Sequence, residues 1–150
     1  MVIEMRLEVL GEAQLVRRLS RFGENVKDFR PAFETIVDRL RVATEELFDA
    51  EGRGWPPLSP KYAAWKSIHY PGQPIMRRTD TLYNSLVGRT GESILEIQPL
   101  EMRWGTSVDY ARYHQQGAGV PQRRVINLAE NEKVGIMKEL QIYLVKLLRD

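Results

Sequence analysis

One apolar stripe decides most of what this chain can become. Phe29, Phe33, Ile36, Val37, Leu40, Leu47 and Phe48 recur at helical spacing and predict a helix over residues 28–50. A helix so apolar along one side must be covered by another layer of structure. Asp28 can cap its start, and Pro31 is tolerated in a first turn. The glycines of "EGRG" (51–54) stop it. A second wide stripe, Ile136, Met137, Leu140, Tyr143, Leu144, Leu147 and Leu148, predicts a last helix over 130–149.

The strands are fewer and sit apart from these helices. Ile3, Met5, Leu7 and Val9 alternate with Glu4, Arg6 and Glu8, the pattern of a half-buried strand over 2–10. Leu95 and Ile97, then Met102 and Trp104, alternate on either side of Pro99-Leu100, which predicts an antiparallel hairpin. Shorter helices are expected at 15–22 (Leu15, Val16, Leu19, Phe22), at "SPKYAAWKS" with Ser59 as cap, at 79–86 capped by Thr79, and in "SVDYARYHQQGAG" capped by Ser107. "RRVINL" (123–128) reads as a short strand. Segregated strands and helices predict an α+β fold, with a small antiparallel sheet of the N-terminal strand and the hairpin packed on two long helices. One domain over 1–150 suits the length. Residues 51–78, rich in proline and glycine, form a long irregular arm, and segments of that kind more often serve function than decoration.

Composition excludes several classes. The chain has no cysteine, which removes disulfides, thiol chemistry and cysteine zinc sites. Acidic residues interrupt the apolar run of "MVIEMRLEVLGE", so no secretory leader is expected, and no apolar run reaches the roughly 20 residues that span a bilayer. Serine is no better placed for nucleophilic catalysis, since none lies in a Gly-x-Ser-x-Gly elbow. Asp109 and His114 are too awkwardly spaced to hold a metal on one helix face, and "GRG" and "GAG" lack the context of a phosphate loop. A nuclease-like cluster of Tyr110, Arg112 and His114 is weighed against a histidine that packs at a helix end, and the packing histidine is preferred. No enzyme activity, cofactor or small-molecule substrate is expected.

Charge is distributed unevenly. Residues 1–50 carry 8 basic and 10 acidic side chains, residues 51–127 carry 10 and 6, and residues 128–150 carry 4 and 4. The irregular middle is therefore the basic part, at +4, although the chain as a whole is only +2. Arg77-Arg78 and Arg123-Arg124 lie in its loops, in company with Trp55, Tyr62, Trp65 and Tyr113. Basic residues interleaved with aromatics suit single-stranded nucleic acid. They suit a protein interface equally, and the small overall charge favours the interface. Arg17, Arg18 and Arg21 read as the solvated face of the first short helix.

Four blocks in order resemble the phage virion morphogenesis family, which includes tail completion proteins of P2-like phages and related Mu-like proteins. "GWPPLSPKYAAWK" (54–66) resembles its Trp-x-x-Leu-Ser segment, and "PIMRRTDTLYNSL" (74–86) its Leu-x-x-Thr-Gly-x-Leu-x-x-Ser-Leu block. "GTSVDYARYHQQGAG" (105–119) is similar to its Gly-Thr-x-x-x-Tyr-Ala-x-x-His-Gln-x-Gly motif, and "PQRRVINL" (121–128) stands where the family has Pro-x-Arg-Pro-Phe-Leu. The resemblance covers roughly residues 29–149. Two departures stand out: Asp80 replaces a usual glycine, and Val125-Ile126 replace Pro-Phe.

The resemblance implies a structural virion protein acting in tail completion or head–tail joining. It implies self-association into a ring, with a hexamer favoured, and contact with other neck or tail proteins. It implies no more than non-specific proximity to DNA in the channel, no membrane, and synthesis in the host bacterial cytoplasm. On this reading the interface residues are Trp55, Leu58, Tyr62, Trp65, Arg77, Arg78, Tyr110, His114, Arg123 and Arg124, with Arg123 and Arg124 presented outward. The alternative is a nucleic-acid-binding module that uses the basic, aromatic middle.

Overall fold

The structure, a computed structural model, describes residues 2–11, 13, 14, 17, 27–147 and 149. Three strands, β1 (Ile3–Glu8), β2 (Ser93–Ile97) and β3 (Glu101–Thr106), form an antiparallel sheet in the order β1-β3-β2. Among the described residues five helices accompany it: α1 (Arg30–Asp49), α2 (Pro60–His69), α3 (Thr81–Val87), α4 (Ala111–Gln116) and α5 (Glu130–Leu147). The fold is α+β, as the segregation of the patterns predicts. The short helix expected at 15–22 lies outside the described residues.

The chain groups into two compact units, one of residues 1–4, 41–94 and 105–127, the other of 5–40, 95–104 and 128–150. In the second unit, every apolar residue foreseen in the first half of α1 is buried: Phe29, Phe33, Ile36, Val37 and Leu40. Arg30 opens that helix with its N–H donating to Asp28 Oδ1 at 3.1 Å. The hairpin turn is Pro99-Leu100, closed by a Gln98 N–H donating to the Glu101 carbonyl at 2.8 Å. Both turn carbonyls are used, Pro99 accepting from Phe29 N–H and Leu100 from Val9 N–H, each at 2.7 Å. Tyr143 of α5 stands 5.8 Å from the Phe29 ring and donates its hydroxyl to the Asp28 carbonyl at 2.8 Å. Arg39 and Glu139 form an ion pair. Among the described residues of the foreseen α5 stripe only Ile136 is buried, while Met137 is 52 % exposed.

In the first unit, Leu47 and Phe48 of α1 are buried with Leu82 and Leu86 of α3, and with Val108, Ala111 and Val125. Phe48 meets Trp55 and Tyr83 edge-on, each at 5.4 Å. Gly52 makes the approach of Trp55 feasible: its φ is +84°, and a Cβ there would stand 1.9 Å from the indole. Gly105 in β3 likewise has no room for a side chain, since a Cβ would lie 2.4 Å from the Ile3 carbonyl oxygen of β1. Ser85 and Thr106, both buried, share a hydroxyl hydrogen bond of 2.7 Å.

Several local expectations are corrected. Thr79 does not cap α3. The cap position is Asp80, in the left-handed region at φ 60°, and the Thr79 hydroxyl pairs with that of Thr81 instead. Ser107 does not cap α4, which begins at Ala111; its hydroxyl donates to the Glu92 carbonyl at 3.1 Å. Residues 123–128 join no sheet, because Gln115 takes the backbone groups that a strand partner would have used. Ser59 does cap α2, accepting from Tyr62 N–H at 3.4 Å with Pro60 in the first turn.

Candidate functional site

The arm begins by leaving α1 and ends by entering α3, all within the first unit. Its helix α2 is unusual in what it buries. Of its ten residues only Lys66 is buried, at 4 % exposure. The outward side carries an aromatic ladder: Tyr62 stacks on Trp65 at 5.6 Å, and Trp65 on His69 at 4.4 Å. Tyr62 and Trp65 are both exposed, and Ile68 beside them is 76 % exposed. Spacing of three and four residues puts these rings on one side of the helix.

The arm is held down by cations acting on carbonyls. Lys66 donates its ammonium to the Pro74 carbonyl, which closes the loop after α2. Arg123 reaches back across the unit and donates Nε and Nη2 to the carbonyls of Pro56 and Pro57, each at 2.9 Å. Trp55 adds its indole N–H to the Arg124 carbonyl at 3.1 Å, and Arg53 donates to the carbonyl of Asn127. Arg123 is therefore 5 % exposed rather than presented outward, whereas Arg124 is exposed. The prolines explain this: they donate no N–H of their own, yet their carbonyls need partners.

The loop before α3 is set by Arg77 and Asp80. The guanidinium bonds Asp80 at 2.8 and 3.1 Å and lies 3.9 Å over the Tyr83 ring. Its hydrogen bond holds the Asp80 carboxyl below the usual carboxylate range. The left-handed backbone at Asp80 is a conformation that glycine adopts without strain, and the ion pair supports an aspartate there in glycine's place.

The corner at 110–124 is built by Gln115. Its Oε1 accepts from Val125 N–H at 2.9 Å and Ile126 N–H at 3.1 Å, and its Nε2 donates to the Ile126 carbonyl at 2.9 Å. This amide acts as one rung of a sheet, which is how Val125 comes to be fully buried. Tyr110 and His114 face each other edge-on at 6.5 Å. Burial, and next the charge of Arg123, pull the His114 imidazole below the ordinary histidine range. Its Nδ1 has no hydrogen-bond partner among the described residues. Arg112 turns away to the Tyr113 hydroxyl at 2.7 Å, so the Tyr110, Arg112 and His114 cluster is not assembled for acid–base work. Among the described residues no group of three or more His, Asp or Glu could hold a metal ion.

Of the ten interface candidates, seven line one cavity of about 490 Å³, Leu58, Tyr62, Arg77, Arg78, Tyr110, His114 and Arg123, while Trp55, Trp65 and Arg124 lie outside it. Trp55 is an internal anchor, while Trp65 is on the open face of α2. Sequence reasoning passed over Lys66, Asp80 and Gln115 as site residues. Gln115 stands inside the Tyr-Ala-x-x-His-Gln motif, so its position was visible although its work was not. Lys66 falls four residues after Tyr62, a spacing that puts it near that ring on the helix, so the sequence carried no signal for its burial.

A small α+β fold with packing anchors and an open aromatic face presents surface suited to association. The model of the phage virion morphogenesis family matches residues 11–141, and the chain belongs to that family. Its role is that of a structural phage virion protein. No curated protein and no solved structure matches it. No helix among the described residues is long and apolar enough to cross a membrane.

Proposed function

We propose that this protein acts in tail completion or head–tail joining, as one subunit of a ring, with a hexamer as the favoured size. The observation that carries the reading is α2, a helix with a single buried residue and an outward face of Tyr62, Trp65 and Ile68. Exposed contiguous apolar surface of that kind marks an association site, and aromatic residues dominate the energetics of such sites. A ring built from head-to-tail contacts needs two different complementary patches on each subunit. The open face of α2 supplies one. The 110–124 corner, with exposed Tyr113, Val120 and Arg124, supplies the other. Neighbouring neck or tail proteins are the remaining partners on this reading, and its place in the particle is the neck or tail.

Electron microscopy of lysates from a phage lacking the gene tests it. Filled heads and finished tails lying unjoined are expected. Missing or overlong tails would move the role into tail assembly itself, and intact infectious particles would refute the proposal. The second reading, a nucleic-acid-binding module, draws on the stacked ladder and on exposed Arg78, which lies 5.8 Å from the Tyr70 ring. It requires submicromolar DNA binding that falls steeply with salt. Three of the middle segment's cations, Lys66, Arg77 and Arg123, are committed to carbonyls or to Asp80, which weakens it.

A further inference from the structure

The cavity of the first unit has an unbalanced lining. Its walls are largely apolar, with Leu58, Tyr62, Met76, Leu82, Tyr110 and Pro121. Four cationic side chains also line it, Lys66, Arg77, Arg78 and Arg123, against the single carboxylate of Asp80, which Arg77 already holds. Lys66 and Arg123 are almost wholly buried, and among the described residues neither has a carboxylate within ion-pair distance. Their bonds to proline carbonyls satisfy N–H groups, and the carboxylates that act on Lys66, Glu51 first and then Asp80, do so through space rather than in contact. Two buried cations that no carboxylate touches are costly, and an anion placed between apolar walls would relieve them. Burial lowers the pKa of both groups, in keeping with that cost.

We infer that this cavity is a docking site for an acidic, apolar peptide segment of a partner protein, taking a glutamate or aspartate carboxylate toward Lys66 and Arg123 and a neighbouring apolar side chain against Leu58, Met76 and Leu82. The volume, about 490 Å³, suits a small ligand or a few side chains and is too small for a duplex. A nucleic-acid backbone is matched by exposed cations set along a surface, whereas these two are 4 % and 5 % exposed. A partner carboxylate desolvated here would add specificity as well as attraction, because a neutral segment leaves the cations unpaired. The inference deepens the reading of this unit as a docking surface and rests on it.

The test uses the full-length protein and two fluorescein-labelled hexapeptides, one alternating glutamate with leucine, the other glutamine with leucine, read by anisotropy. The glutamate peptide is expected to bind at least about tenfold more tightly than the glutamine peptide. Lys66→Met should bring the glutamate peptide down to the glutamine level and leave the glutamine peptide unmoved. Arg78→Ala, at an exposed rim position, should weaken the glutamate peptide severalfold and serves if Lys66→Met does not fold. Equal binding of the two peptides, or no binding of either at millimolar concentration, would overturn the inference. So would displacement of the peptide by a short oligothymidylate at equal strength, which would give the cations to nucleic acid. Unjoined heads and tails in the deletion lysate, together with either of those first two results, would sink the cavity assignment and leave the virion role standing.

Discussion

Gln115 offers the sharpest test of how the 110–124 corner is held. Replacing it by leucine keeps its size and removes all three of its bonds to Val125 and Ile126. Each such bond contributes about 0.5–1.5 kcal/mol net, and a buried group left without a partner costs about 1–3 kcal/mol. Val125 is fully buried, so its N–H loses its partner with little water to replace it. The three groups share one side chain and their losses will not add fully. Gln115→Leu should therefore destabilise the fold by about 3 kcal/mol, or about 6–12 °C in melting temperature at this chain length. Gln115→Glu separates the contributions. Its carboxylate still accepts both N–H groups, with charge assistance, but its second oxygen meets the Ile126 carbonyl oxygen that Nε2 had bonded, acceptor against acceptor. A loss of about 1–3 kcal/mol is expected for it. Urea denaturation at neutral pH, with the slope m compared across variants, measures both. If Gln115→Leu falls within about 0.5 kcal/mol of the parent, the sheet-rung account of Gln115 is wrong.

Three further outcomes follow from particular contacts. Gly105→Ala should weaken β1–β3 pairing by about 1–3 kcal/mol, since the new Cβ would meet backbone atoms of Ile3 and Glu4 that cannot move aside, and thermal melting followed by circular dichroism would show it. Asp80→Gly should be milder than Asp80→Ala by roughly 1 kcal/mol, because both lose the Arg77 pair but only alanine keeps the left-handed strain; equal losses in urea would contradict this. His114 has a folded-state pKa below its unfolded value, so the unfolded chain binds the proton more readily. Its contribution is fully present above about pH 6.5 and is lost as pH falls toward the lowered value. Melting temperature should accordingly drop between pH 7 and 5, before the depressed carboxyls of Asp28 and Asp80 protonate, and His114→Gln should flatten that slope.

Trp55 changes the choice of mutant for the interface. With its ring against Phe48 and its N–H on the Arg124 carbonyl, Trp55→Ala would unsettle the unit itself. Trp65→Ala removes exposed ring surface at little structural cost and is the cleaner probe of incorporation into particles.

Local chemistry was legible in the chain alone. The α1 stripe, the Ser59-Pro60 start of α2, the Pro99-Leu100 hairpin and the alternation of β1 all came out as read, because each depends on neighbours within a few residues. So did membership of a virion morphogenesis family, carried by four short blocks in order. The tertiary structure decided the rest. Arg123 looked like a surface cation and is buried, because its partners are the Pro56 and Pro57 carbonyls, 67 and 66 residues away. Ser107 looked like a cap and bonds Glu92, 15 residues back, and Lys66 turned inward because a loop closed over it. Sequence pattern reports the period of a side and the stops of an element. Which backbone carbonyl a long side chain will find is settled only when distant segments meet.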